Sequence, residues 1–182
     1  PEIFSDPILR FETLEHRLRE LSYLNPGVRI HLRDERVDAN GAVREEVFHS
    51  EDGLAAYVAH LNRQKTIWSP VVAMRAEDEE VGLAAEVALQ YTDATSELVL
   101  AFGNNIVNPD GGTHLTGFRN QLTRSINAYA KKQGLLKDLT PSGEDLREGI
   151  TAIVSMRLPD PSFNNQTKEK LNLKFFILNP RV

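Results

Sequence analysis

Residues 113–133 most constrain the fold. Leu115, Phe118, Leu122, Ile126 and Tyr129 recur there at spacings of three and four, while Arg124, Asn127 and Lys131 fall on the opposite side. That period predicts one long helix with a single apolar stripe and Arg119 at the stripe's flank. Such a helix has to lay its stripe on another element.

Candidates for that element are apolar runs of strand length. "EVALQYT" from Glu86 and "ELVLAFGNNI" from Glu97 read as two strands joined by the short antiparallel connection "DATS". "GITAIVSM" from Gly149 reads as a third. Nearer the N-terminus, Phe11, Leu14, Leu18 and Leu21 predict a helix over 11–24, stopped by "NPG" at Asn25 to Gly27. Val28, Ile30 and Leu32 alternate with Arg29, His31 and Arg33, which predicts a half-buried strand. An Asn40-Gly41 turn brings back a partner in "EVFHS". "SEDG" at Ser50 to Gly53 opens a further helix, capped by Ser50 or Asp52, with Leu54, Tyr57, Val58 and Leu61 inside. The alternation of helices and strand groups predicts a layered α+β protein.

Composition narrows the functional classes. Apolar residues make up 41% of the 182 residues, enough for a core, and no apolar run approaches the ~20 residues of a membrane span. The absence of cysteine excludes disulfides and thiolate metal sites and fits a cytoplasmic protein. A net charge of −5 argues against nucleic-acid binding by bulk charge, so such binding needs a local basic patch. Pro1 stands first with no charged-then-apolar leader after it, so no signal peptide is expected and a segment of a longer chain is.

Few residues carry chemistry on their own. The five histidines contain no i, i+4 pair, so no metal site is expected. His114, after "DGG" at a helix start, reads as a capping or packing residue, Trp68 as a packing residue, and the acidic run Glu77 to Glu80 as a solvated loop. The loop "DPSFNNQTKEKL" is different, because no core needs Gln166, Thr167 and Lys168 side by side. In an extended segment residues two apart point the same way, so Gln166 and Lys168 can approach one ligand. A lysine offers a mobile positive charge suited to a terminal phosphate, and an amide can bond a phosphate oxygen or a water.

Four strings share one resemblance: "LEHRLRELSYLNPGVRIHLRDER", "EVALQYTD", "NNIVNPDGGTHLTGFRNQLTRSINAYAKKQGLLK" and "GEDLREGITAIVSMRLPDPSFNNQTKEKL". They resemble, in family order, the B subunits of bacterial DNA gyrases, which are type IIA topoisomerases, with the B subunits of topoisomerase IV as the close relative. The resemblance implies that residues 1–50 are the last part of a GHKL-type ATPase domain. It implies that residues 51–173 are a transducer domain with the ribosomal protein S5 domain 2-like fold, and that 174–182 form a divergent tail. It further implies that Lys168 bonds the γ-phosphate of ATP, that Gln166 contacts that phosphate or the attacking water, and that Thr167 shares the nucleotide contact. Arg119, after "GF", is implied to line the cavity that holds the transported DNA. The implied cofactors are ATP and Mg²⁺. The implied partners are DNA, the A subunit of DNA gyrase, and a second B subunit joined on ATP binding. The family's general base, its Mg²⁺ ligand and its glycine-rich lid are absent from this sequence, so these residues alone are not expected to bind or hydrolyse ATP. A stand-alone nucleic-acid-binding module and a decoy fragment are the competing readings, and the Gln-Thr-Lys loop weighs against the first of them.

Overall fold

The computed structural model describes residues 8–37, 41–136 and 140–172. Asn40 of the expected turn, the N-terminal residues 1–7 and the tail 174–182 lie outside the described residues. The chain divides after Tyr57 into two compact units.

In the first unit, helix α1 (Phe11–Leu24) accompanies an antiparallel pair, β1 (Arg29–Val37) and β2 (Val43–His49). Arg29 lies opposite His49 and Ile30 opposite Phe48. Ile30 and Leu32 are half-buried and Arg29, His31 and Arg33 exposed, as the alternation predicts, whereas Val28 is exposed and precedes the strand. Phe11, Leu24, Phe48, Leu54 and Tyr57 are buried. Tyr23 stacks on Tyr57 with ring centres 4.8 Å apart, and Arg19 reaches both Glu15 (2.8 Å) and Glu46 (2.6 Å) above the Phe48 ring. Helix α2 (Gly53–Leu61) begins where the Ser50 hydroxyl accepts the Gly53 N–H at 3.1 Å, the expected serine cap. Gly53 needs its lack of a side chain, because its φ is +53° and a Cβ would lie 2.6 Å from Cγ of Pro26.

The second unit is a five-stranded mixed sheet with helix α3 (Thr113–Lys132) on one face. The strands are β3 (Val72–Asp78), β4 (Leu83–Tyr91), β5 (Leu98–Gly103), β6 (Ile106–Val107) and β7 (Ile150–Arg157), in the order β3-β4-β7-β5-β6. Strand β7 is central: it pairs antiparallel with β4 and parallel with β5. The expected adjacency of β4 and β5 is therefore corrected, since β7 separates them and "DATS" crosses over it. Phe118 and Leu122 of α3 pack on Leu89, Ile150 and Ala152. Tyr129 is exposed, which shortens the expected stripe, and Trp68 is exposed rather than packed.

On the opposite side of β7, a polar network lies beside the buried pair Ala88 and Ile153. Asn62, buried just beyond α2, accepts the Thr151 hydroxyl proton at 2.7 Å and donates to the Gln90 side-chain oxygen at 3.0 Å. Gln90 donates onward to the Ser69 carbonyl, and Lys65 donates to the Thr151 hydroxyl oxygen. Because these partners satisfy one another, their hydrogen bonds offset the cost of burying them, and the network helps to fix the register of β4 and β7.

Candidate functional site

Beyond β7 the chain turns back on itself. Asn104 holds the exit: its side-chain oxygen accepts the Leu158 N–H at 2.7 Å and its amide donates to the Leu158 carbonyl at 2.8 Å. A short hairpin follows, β8 (Ser162–Phe163) and β9 (Leu171–Asn172), with Phe163 opposite Leu171. Gln166, Thr167 and Lys168 sit in the loop between these strands, and all three are exposed.

The loop is anchored from below. Leu171 is fully buried, and its N–H donates to the Gly111 carbonyl at 3.1 Å. The Asp110 N–H donates to the Glu169 carbonyl at 3.1 Å, and the buried Asn108 amide donates to the Lys168 carbonyl at 2.7 Å. Within the loop, Asn165 pairs both ways with Glu169 and accepts the Lys168 N–H through its carbonyl. Gly112, beside Leu171, has a φ of +141°, and a Cβ there would fall 2.1 Å from the Leu171 carbonyl oxygen.

The loop geometry differs from the extended segment expected from the sequence. Gln166 and Thr167 form a turn, and Lys168 has a φ of +60°, a left-handed conformation that a lysine adopts only when its surroundings hold it there. The Asn108 bond to its carbonyl and the Asn165 bond to its N–H do so. The Lys168 ammonium lies 5.8 Å from the centre of the Phe163 ring, a contact that orients the side chain without neutralising it. A rigid backbone thus presents an ammonium, an amide and a hydroxyl outward, a donor set that fits an anionic ligand such as a terminal phosphate. It does not fit a divalent cation, for among the described residues no three His, Asp or Glu side chains form a metal-holding group. Asn108 escaped sequence reasoning because it lies sixty residues from the loop it supports.

His114, near the start of α3, is buried, and neither ring nitrogen has a hydrogen-bond partner among the described residues. It is a packing residue and makes none of the backbone bonds its position allowed. Burial lowers its pKa from the ordinary 6.5 to about 4, so it is neutral near pH 7. The unfolded chain takes up a proton at this residue below about pH 6.5, whereas the folded protein resists protonation until about pH 4. Stability should therefore fall with acidification through that window, at up to roughly 1.4 kcal/mol per pH unit from this group. Urea unfolding at about pH 7.5 and about pH 5 is expected to show a drop that His114→Gln reduces. Equal drops in the two proteins would assign the effect to other titrating groups.

Arg119 occupies the other end of the sheet. Strands β5 and β7 start side by side, with Leu98 opposite Thr151, so Glu97 and the turn before β7 are neighbours. That turn is a short 3-10 segment (Asp145–Arg147), fixed by Ser142 and Asp145 bonding each other's backbone N–H groups and by the Tyr91 hydroxyl donating to the Leu146 carbonyl. The Glu97 carboxylate receives Arg119 from α3 on one oxygen and Arg147 from the turn on the other, the latter at 2.8 Å. The sequence placed Arg119 at the flank of the helix and gave no sign of its partners, which come together only through strand pairing.

Comparison with known proteins identifies the family and the fold. A DNA gyrase B family model matches residues 53–176. A DNA gyrase B subunit of Clostridium acetobutylicum is 49% identical over 175 residues, covering 94% of this chain but only 26% of that relative. The chain therefore spans about a quarter of the length of such relatives. The 43K ATPase domain of Thermus thermophilus gyrase B, solved with an aminocoumarin, superposes with a TM-score of 0.78 at 34% identity, over 95% of this chain and 45% of that one. The B subunit of Myxococcus xanthus gyrase gives 0.76 at 26% identity, over 94% and 52%. A family match over more than half of the residues, on an α+β fold shared with solved gyrase B structures, establishes that this chain belongs to the DNA gyrase B family.

Proposed function

We propose that this chain is the part of a gyrase B subunit that couples ATP binding and hydrolysis to DNA strand passage and supercoiling. Residues 1–50 would close the ATPase domain and residues 51–173 would form the transducer. The observation that carries the reading is the anchored, outward-facing Gln166-Thr167-Lys168 loop at one end of β7, with the Arg119 cluster at the other. Strand β7, eight residues long, spans roughly 26 Å between them and is buried along nearly its whole length. A rigid, buried strand is suited to passing a displacement of one end to the other.

ATP, bound with Mg²⁺ in the complete protein, supplies the phosphoryl group that is transferred to water. Lys168 would bond the γ-phosphate, Gln166 would hold that phosphate or the attacking water, and Thr167 would add a hydroxyl. Donors fixed before the reaction favour the charge that develops on the phosphoryl oxygens. Loss of the phosphate would remove these contacts, which makes the loop a reporter of nucleotide state. DNA, the A subunit of DNA gyrase, and a second copy of the B subunit are the partners this role requires, in the cytoplasm. Arg119 would serve as a phosphate contact that positions DNA without reading its sequence.

Arg119→Gln, in a full-length gyrase B protein carrying this sequence, tests the coupling. DNA-stimulated ATP turnover and supercoiling should fall, basal turnover should change less, and the salt slope of DNA binding should flatten by about one. Undiminished stimulation by DNA would refute the role of Arg119.

A further inference from the structure

We propose that Glu97 is a built-in competitor for nucleic-acid phosphate, and that Arg147 is a second phosphate-contacting arginine beside Arg119. This rests on the reading of Arg119 as a DNA contact.

The two guanidiniums come from different elements and converge on one carboxylate, each on its own oxygen. Two positive charges against one negative leave the cluster short by one anion. A phosphodiester offers the same pair of anionic oxygens, so it can take the place of the carboxylate between the two forks. Neither arginine is used up by Glu97. Arg119 gives it a single Nη2, and its Nε has no hydrogen-bond partner although it is buried. Arg147 gives it only Nε. The side chains of Glu97 and Arg119 are 31% and 37% exposed, so a ligand can reach the fork. At that exposure solvent screens the ion pairs, so they are weak and a competing anion can displace the carboxylate.

Arg147 is less exposed, at 17%, and is held in place. A Cβ on Gly143 would lie 2.7 Å from its Nη1 and 3.0 Å from the Thr123 hydroxyl, so the glycine makes room for the guanidinium against α3. Glu144, Asp145 and Glu148 are exposed next to it in sequence, and none of them forms an ion pair with Arg147; Asp145 is occupied by the Ser142 N–H. In a chain of net charge −5, a cluster that stays paired until a phosphate arrives limits the binding of other anions. Glu97 thereby sets a threshold for DNA engagement.

The test uses a full-length gyrase B protein carrying this sequence, a linear duplex DNA, and binding measured from about 50 to about 200 mM salt. Glu97→Gln keeps the side chain's shape and removes its charge. It should tighten binding several-fold at low salt and steepen the salt slope by about one. Arg147→Gln should flatten the slope by about one, as Arg119→Gln does. Unchanged or weaker binding by a folded Glu97→Gln protein would overturn the proposal, the weaker case making Glu97 a positioner of Arg119. If Glu97→Gln fails to fold, Arg147→Gln decides alone, and an unchanged slope overturns the assignment of Arg147. Should Arg119→Gln itself leave DNA binding unaltered, the DNA reading of the cluster fails. Should Arg119→Gln flatten the slope while the other two variants do nothing, only the present proposal fails.

Discussion

Lys168→Ala, in a full-length gyrase B protein carrying this sequence, is expected to reduce ATP turnover by about 10²–10³-fold while leaving the protein as stable as before. The stability half follows from local geometry. The Lys168 side chain is exposed, and its one aromatic neighbour is 5.8 Å away, so truncation opens no cavity. Its left-handed φ of +60° strains alanine about as much as lysine, and the bonds that hold it run through the backbone, so they survive the substitution. The rate half follows from where the charge acts. An ammonium aimed at a phosphoryl group counts most when negative charge accumulates in a site closed to water. Lys168→Gly separates the two effects: it relieves the strained φ and still lacks the charge, so it should be as slow as Lys168→Ala and no less stable. Normal turnover in either variant would remove Lys168 from the phosphate site.

Gly112→Ala is expected to act on the same loop from behind. A Cβ 2.1 Å from the Leu171 carbonyl oxygen cannot be accommodated, and the neighbouring carbonyl carbon and nitrogen, both at 2.9 Å, leave no direction in which to yield. A φ of +141° is itself nearly restricted to glycine. The least costly relief is for the β8–β9 hairpin to leave its seat. That would expose Leu171, now fully buried, and break the Leu171 bond to Gly111 and the Asn108 bond to Lys168. Undocking should cost about 3 kcal/mol or more, and amide exchange at Leu171 should lose its protection. Turnover should then fall with Lys168 intact. Retained protection at Leu171 would show that the seat adapts to a side chain.

Local periodicity carried much of the fold, and its failures have common causes. Helices α1 and α3 and strands β1, β5 and β7 were legible because each buries one face or both in a regular pattern. Strand β3 was missed: it is an edge strand exposed along its whole length, so Val72 to Asp78 carry no apolar alternation tied to a core, and Glu77 and Asp78 of the acidic run lie in it, solvated but not in a loop. The break between β5 and β6 was missed as well, although Asn104 and Asn105, with φ of +50° and +63°, are the residue type that favours a two-residue hairpin turn. Strand order could not be read, because the insertion of β7 between β4 and β5 is a long-range pairing with no local signature. The same holds for the sites. Gln166, Thr167, Lys168 and Arg119 are the residues a local string or a family resemblance can single out. Asn108, Gly112, Glu97 and Arg147 act through neighbours distant in the chain and became visible only in three dimensions.

The central claim is that Lys168 senses the terminal phosphate of ATP, and one comparison addresses it most directly. Calorimetry on the full-length protein and its Lys168→Ala variant measures the affinities for ADP and for a non-hydrolysable ATP analogue. A lysine that touches only the γ-phosphate predicts unchanged ADP affinity and a weakened grip on the analogue, so that the preference for the triphosphate collapses. Equal losses for both nucleotides, or an undiminished preference for the analogue, would contradict the account.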